Sequence, residues 1–138
     1  MMKPALTPEL YWLVLTILMT GLFWIPYLLQ RIREHGLWDA LRDPQGVTHT
    51  DAVWAQRMRR AHANAVENLM IFAPLALAVQ LTGAGNALTA CACQAYFAAR
   101  ATHFAVYSLA IPVLRVPAFL VGFGAQMVLV LVLLGVIA

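Results

Sequence analysis

Four polar side chains recur at helical spacing in the stretch 57–69, which reads RMRRAHANAVENL. They are two guanidinium groups, one amide and one carboxylate, from Arg57, Arg60, Asn64 and Glu67. At about 100° per residue they fall within an arc of about 80° on one helix face. The residues that follow, 70–81, are almost wholly apolar. Ionisable groups that enter an apolar span are costly unless they face protein or a wet cavity, so this stretch predicts a site.

A second polar stripe follows in the next apolar segment. It consists of Tyr96, Arg100, His103 and Tyr107. At the helical period these side chains fall within an arc of about 60°. A short turn joins the two segments, so we expect antiparallel helices that carry both stripes in the same half of the membrane. Arg31 and Arg115 would lie at the mouth of the same region.

The two stripes and their flanking arginines offer several guanidinium groups, one carboxylate, one amide, one imidazole and a phenol. Guanidinium groups bind carboxylates or phosphates bidentately, and a lone carboxylate suits an ammonium group. A small zwitterion with two carboxylates and one amine would satisfy this inventory, although residue types alone do not identify it. We expect no metal, because His103 has no partner ligand at metal-binding spacing.

More ordinary interpretations stay open at this point. Arg57 and Arg59 are typical of solvated anchors at a helix end. Arg60 and Glu67 could form a purely structural ion pair within the membrane. His103 and Tyr107 could hydrogen-bond across a helix interface, as polar side chains commonly do in membrane proteins.

The composition indicates a membrane protein. Of 138 residues, 62% are hydrophobic and only 11% are charged, whereas a soluble domain carries about 25% charged residues. The length permits one domain, 1–138. Nine Lys and Arg against six Asp and Glu leave a formal charge of +3, an excess too small to indicate nucleic-acid binding.

Four apolar segments predict an all-α integral membrane protein with a four-helix bundle. The predicted helices cover about 10–30, 51–81, 87–111 and 118–138, and a span needs about 20 apolar residues. Pro26 and Pro74 should bend the first and second helices. Thr50 or Asp51 is the predicted N-cap of the second helix. The polar segment 31–56 before it is predicted to be loop, because Gly36, Pro44 and Gly46 break it.

Basic residues predict the topology. Most of them flank the first and third loops, while Lys3 lies on the other side. The positive-inside rule makes those two loops cytoplasmic and both termini external. The polar site would then face the cytoplasm, and we favour the plasma (inner) membrane over an organelle.

The stretch RMRRAHANAVENL resembles the signature of the MAPEG family, the membrane-associated proteins of eicosanoid and glutathione metabolism. The family pattern Arg-Ala-x-x-Asn-x-x-Glu is matched by Arg60, Ala61, Asn64 and Glu67. A second family element is matched by Arg100, His103, Tyr107 and Arg115, and the Arg-x-Arg that ends the first family helix by Arg31 and Arg33. The resemblance covers essentially the whole chain.

The resemblance implies a homotrimer that binds glutathione as co-substrate between neighbouring subunits. It implies that glutathione is bound by Arg60, Asn64, Glu67, His103 and Tyr107. Arg100 joins this set as a binding residue, and its depth leaves a structural role open. Arg115, or Arg31 from a neighbour, would stabilise the thiolate. The implied activity is that of a glutathione transferase or peroxidase, in a detoxification role, acting on lipophilic substrates from the bilayer.

Two other functions remain as alternatives. The first is a non-catalytic relative that binds lipid or a protein partner. The second is a small transporter or channel subunit, although a transporter would more often have repeated halves or broken helices. The chain departs from the prostaglandin synthase pattern at Ala63, where that branch has a further Arg. The sequence does not identify the electrophile.

Overall fold

The computed structural model describes residues 5–43 and 49–138, and all regular elements in these ranges are helices. The elements are α1 (Pro8–Leu22), α2 (Ile25–His35), α3 (Leu37–Leu41), α4 (Val53–Thr82), α5 (Ala87–Ser108) and α6 (Arg115–Leu133). The short helix α3 lies where the sequence predicts loop. Lys3, Pro44 and Gly46, which the topology and loop predictions used, lie outside the described residues.

Within the residues that the structure describes, three helical segments are long and apolar enough to cross a membrane. They are Pro8–His35, which joins α1 and α2, together with Val53–Thr82 and Arg115–Leu133. The chain is therefore an all-helical membrane protein. Helix α5 has 22 residues, but its polar residues lower its hydropathy. Its role as a fourth span stays a prediction.

Helices α4 and α5 form the centre of the bundle, since α1 and α6 each pack against both of them. The buried face of α4 is built largely from alanines, among them Ala61, Ala65 and Ala76. Small side chains let membrane helices approach closely. Large apolar side chains such as Leu18 and Ile71 are exposed instead, as expected of surfaces that contact lipid.

The first apolar segment is interrupted between α1 and α2, at Phe23 and Trp24. Pro26 lies at the start of α2. A proline has no N–H to donate and its ring crowds the carbonyl four residues earlier, here that of Leu22. The interruption therefore falls where Pro26 predicts a bend. Pro74, by contrast, lies inside α4 without ending it.

The predicted N-cap of α4 is wrong. The cap residue is Ala52, and no side chain caps the helix. The Thr50 hydroxyl oxygen instead accepts from the Ala52 N–H at 3.2 Å. Short hydroxyl side chains readily make such local bonds to the backbone. Thr50 therefore stabilises the turn that precedes α4.

The same backbone motif ends α4 and α5, at the two turns between the long helices. At the end of α4, the N–H of Ala84 donates to the carbonyl of Val79 and Gly83 has a φ of +67°. At the end of α5, the N–H of Ile111 donates to the carbonyl of Val106 and Ala110 has a φ of +59°. Both are Schellman motifs, in which glycine is the usual left-handed residue. The second motif leads the chain towards Arg115.

Hydrogen bonds between side chains tie α1 to the bundle at the opposite end. The Thr89 hydroxyl donates to Glu9 Oε1 at 2.6 Å, and Glu9 is buried. The Thr7 hydroxyl donates to Gln80 Oε1 at 2.7 Å. Because α4 and α5 are antiparallel, this end is remote from Arg60 and Arg115. The first residues of α1 and the last residues of α6 therefore lie at the same end of the bundle.

Candidate functional site

Five predicted site residues line one cleft at the end of the bundle where α4 begins. The cleft has a volume of about 280 Å³. Its polar lining comes from three helices, with Arg60 and Asn64 on α4, His103 and Tyr107 on α5, and Arg115 on α6. Val116 and Phe119 add apolar wall. We call this cavity the arginine cleft.

Ring side chains of α5 and α6 pack together and form the inner wall of the arginine cleft. The Arg115 Cζ atom lies 5.3 Å from the centroid of the Tyr107 ring, within the range of a cation–π interaction. The His103 ring lies 5.8 Å from that of Tyr107 and 6.2 Å from that of Phe119. Arg115 is itself exposed. Its guanidinium is thus held at the cleft rim with its N–H groups available to a ligand.

A second cavity, of about 330 Å³, adjoins the arginine cleft and shares Arg60, Tyr107 and Arg115 with it. Arg57 also lines this cavity. The Arg57 Nε donates to the carbonyl oxygen of Ser108 at 3.1 Å, the last residue of α5. A guanidinium there satisfies a free carbonyl and interacts favourably with the negative end of the helix dipole. Arg57 therefore holds α4 against α5 beside the cleft.

Arg100 lies beneath the cleft and is not part of its lining. The residue is 1% exposed. Its Nη2 donates to Asn64 Oδ1 at 2.9 Å, and its Cζ lies 5.8 Å from the centroid of the Phe119 ring. The structure thus connects Arg100 to the cleft through Asn64.

Arg31 lies in a separate environment within the protomer. Its Nη2 contacts Asp43 Oδ2 at 2.6 Å, and it lines a cavity of about 270 Å³ between α2 and α4. Arg59 lines this cavity and also a neighbouring one of about 500 Å³, which includes Arg60. Within one chain Arg31 therefore does not join the arginine cleft.

Glu67 is exposed on α4 and does not line the arginine cleft. Within residues 5–43 and 49–138, no hydrogen bond or ion pair involves its carboxylate. The structural pair with Arg60, which the sequence leaves open, is accordingly not formed. A carboxylate exposed on an apolar helix requires cover from protein or water.

Sequence reasoning missed one residue that lines the cleft, Phe119, and one buried amide elsewhere on α6, Gln126. Phe119 forms an apolar wall and faces the Arg100 guanidinium, but a phenylalanine in an apolar helix gives no signal of such a role. Gln126 is buried and its Nε2 donates to the carbonyl oxygen of Asn68 at 3.1 Å. An isolated amide in the otherwise apolar α6 is the signal that could have identified it.

The arginine cleft presents mainly hydrogen-bond donors and positive charge. Arg60 and Arg115 are permanently charged donors, and the Asn64 amide and Tyr107 hydroxyl add neutral ones. No acidic side chain of the described chain lines this cleft. Such a site suits an anionic ligand. In a ligand that carries a thiol, an adjacent guanidinium would favour the thiolate form.

Comparisons with known proteins identify the family. The family model described as MAPEG family matches residues 10–135. No curated protein and no solved structure matches the chain. The family match covers nearly the whole length, including all eight predicted site residues. The chain therefore belongs to the MAPEG family.

Proposed function

We propose that this protein is a membrane-bound, glutathione-dependent transferase or peroxidase that acts on lipophilic electrophiles or lipid hydroperoxides. The observation that carries the proposal is the convergence of Arg60, Asn64 and Arg115 on one donor-rich cleft. MAPEG members use glutathione, although some are not enzymes. Glutathione has two carboxylates and one ammonium group besides its thiol, and these match the cleft donors and Glu67.

The proposed roles follow from charge and position. Arg60, Asn64, His103 and Tyr107 bind the tripeptide. Arg115, exposed at the rim, contacts the sulfur and stabilises its thiolate. A free thiol with a pKa of about 8.5 is mostly protonated at neutral pH, and an adjacent guanidinium lowers that pKa. The protein thereby raises the fraction of reactive thiolate.

We also propose that the site is shared between the protomers of a homotrimer. Members of the family often form trimers. The exposed Glu67 carboxylate supports this arrangement, because a neighbouring subunit would remove it from lipid. Arg31, which lies apart from the cleft of its own chain, would then approach the cleft of a neighbour and assist Arg115.

In the transferase reaction, the glutathione thiolate attacks an electrophilic carbon of a substrate dissolved in the bilayer. A C–S bond forms, and a leaving group departs with the electron pair or an opened ring takes up a proton. In the peroxidase reaction, the thiolate attacks the distal oxygen of a hydroperoxide and the O–O bond breaks. The product alcohol takes a proton, and a second glutathione reduces the sulfenic acid to give the disulfide and water.

We propose that the arginine cleft faces the cytoplasm, where glutathione is available. Arg57, Arg59, Arg60 and Arg115 all lie at this end of the bundle, and basic residues favour the cytoplasmic side. Both termini would then be external, and the plasma (inner) membrane is the proposed location. Addition of a membrane-impermeant thiol reagent to intact cells that carry single cysteines near either end would test this orientation.

The decisive experiment is glutathione binding to the purified protein in detergent. We expect heat in isothermal titration and a rise in thermal stability with glutathione, since a ligand that binds only the folded state stabilises it. No heat and no stabilisation at millimolar glutathione would rule out the proposal. Conjugation and hydroperoxide reduction against a panel of lipophilic substrates would then separate an enzyme from a protein that only binds.

A further inference from the structure

Arg100 is a buried guanidinium with few partners. It is 1% exposed, and its hydrogen bond runs from Nη2 to Asn64 Oδ1. Its Nε and Nη1 are buried and have no hydrogen-bond partner among the described residues. Gly122 on α6 packs beside it, and a Cβ at Gly122 would lie 3.7 Å from Arg100 Cδ. The side chain is thus enclosed by α4, α5 and α6, and it forms no ion pair with a carboxylate of the described chain.

The contact with Arg100 decides which end of the Asn64 amide is free. A primary amide has one acceptor end and one donor end. Arg100 can only donate, so the Asn64 atom that faces it must be the acceptor Oδ1. The donor Nδ2 then lies on the opposite side of the amide. The Asn64 backbone carbonyl accepts from Asn68 Nδ2 at 2.8 Å, so Asn68 does not compete for the Asn64 side chain.

We infer that Arg100 is a positioning residue that acts through Asn64. By holding Oδ1 of Asn64 beneath the arginine cleft, Arg100 turns the Nδ2 donor of Asn64 into the cleft. The cleft then presents N–H groups from Arg60, Asn64 and Arg115 to an anionic group of the ligand. The inference rests on the proposed function for the identity of that ligand, which is glutathione.

The first test compares two substitutions of Arg100. Arg100→Met fills the space but cannot orient the amide, so we expect glutathione binding to weaken about tenfold, as when one hydrogen bond to a charged group is lost. Arg100→Lys can still donate to Oδ1, and we expect affinity within about threefold of wild type. Equal loss of affinity in both variants would overturn the inference.

Thermal stability separates positioning from a purely structural role. Replacement of a buried, poorly paired charge by an apolar side chain is often neutral or stabilising. We therefore expect Arg100→Met to unfold at the wild-type temperature or above, while its glutathione affinity falls. A lower unfolding temperature with unchanged affinity would assign Arg100 a structural role and overturn the inference.

A double-mutant cycle tests whether Arg100 acts through Asn64 or on the ligand directly. If Arg100 only orients Asn64, Arg100→Met has no further effect on glutathione affinity in an Asn64→Ala protein, because residues that act as a unit are non-additive. Additive losses would mean that each side chain contacts glutathione by itself. That result would contradict the positioning role.

A ligand-free measurement distinguishes failure of this inference from failure of the proposed function. Asn64→Asp would give Arg100 a carboxylate partner, and we expect it to raise the unfolding temperature in the wild-type background but not with Arg100→Met. Loss of that coupling would overturn the inference. Coupling without any glutathione binding to the wild-type protein would instead reject the proposed ligand.

Discussion

The Arg115 guanidinium lies over the ring of Tyr107, with Cζ 5.3 Å from the ring centroid. Arg115 begins α6 and Tyr107 lies in the last turn of α5, so the contact closes the turn between the two helices. An arginine at a helix start would otherwise extend freely into solvent. The ring thus keeps an exposed cation next to the arginine cleft.

We expect Arg115→Ala to remove most of the turnover with little loss of glutathione binding, because the guanidinium acts on the sulfur and other residues hold the tripeptide. A fall of at least about 100-fold in kcat, typical for loss of a group that stabilises transition-state charge, is the expected size. Rates and affinities should be measured on the same preparation. Arg33→Ala, at an exposed position on α2, is the matched control. Unchanged turnover in Arg115→Ala would assign the thiolate to another residue.

The pH dependence of the transferase reaction should reflect the same guanidinium. A nearby positive charge favours the thiolate, so activity should reach its plateau below the free-thiol pKa of about 8.5. Removal of that charge in Arg115→Ala should move the acidic limb of the residual rate upwards, towards about 8.5. Rates from pH 5.5 to 9.5 would measure the limb. A limb at the same pH in both proteins would contradict thiolate stabilisation by Arg115.

Glu67→Ala should weaken glutathione binding, since the proposed partner of this carboxylate is the ligand ammonium. The expected loss of affinity is about tenfold, as for one hydrogen bond to a charged group, with kcat at saturating glutathione retained. Glutathione that lacks its amino group should bind the wild type and the variant alike. Glu34→Ala, an exposed carboxylate on α2, provides the control. Wild-type affinity in Glu67→Ala would remove this residue from the site.

Ala110→Gly should stabilise the protein. Ala110 has a φ of +59°, a conformation that costs a non-glycine residue roughly 1–2 kcal/mol. Glycine adds an entropic cost of roughly 0.5–1 kcal/mol, which leaves a net gain of about 0.5–1 kcal/mol. Thermal unfolding in detergent would measure it. Ala84→Gly, where φ is not positive, should destabilise, and a similar effect at both positions would contradict the argument.

Thr89→Val should destabilise the fold without changing glutathione affinity. The substitution removes the hydroxyl that donates to the buried Glu9 carboxylate, and an unsatisfied buried acceptor costs about 1–3 kcal/mol. The contact lies at the end of the bundle opposite the arginine cleft. Thr82→Val removes an exposed hydroxyl that bonds to its own helix and should have an effect below about 0.5 kcal/mol. A changed glutathione affinity in Thr89→Val would mean that the two ends are coupled.

Periodicity predicted which residues of α4 and α5 would share a helix face, because the period of an α-helix is fixed by its backbone. Arg60 and Asn64 do line the arginine cleft together with His103 and Tyr107. Glu67 lies on the same face of α4 but further along it. Whether another helix packs over Glu67 depends on the tertiary structure, and the spacing of residues along the sequence carries no information about it.

Other features depend on contacts between distant residues and could not be predicted. The pairing of Arg31 with Asp43 depends on how the segment after α2 folds back. The orientation of Asn64 depends on Arg100, which is 36 positions away. Helix α3 is only five residues long, too short for a hydrophobic period to indicate it.

The alanine-rich interior of α4 affects how this protein should be mutagenised. A scan that truncates side chains to alanine would leave Ala61, Ala65 and Ala76 untouched and would report the central interface as inert. Replacement by leucine would reveal its importance, because extra methylene groups in a close-packed interior force helices apart. Enlargement, rather than deletion, is the informative perturbation for this bundle.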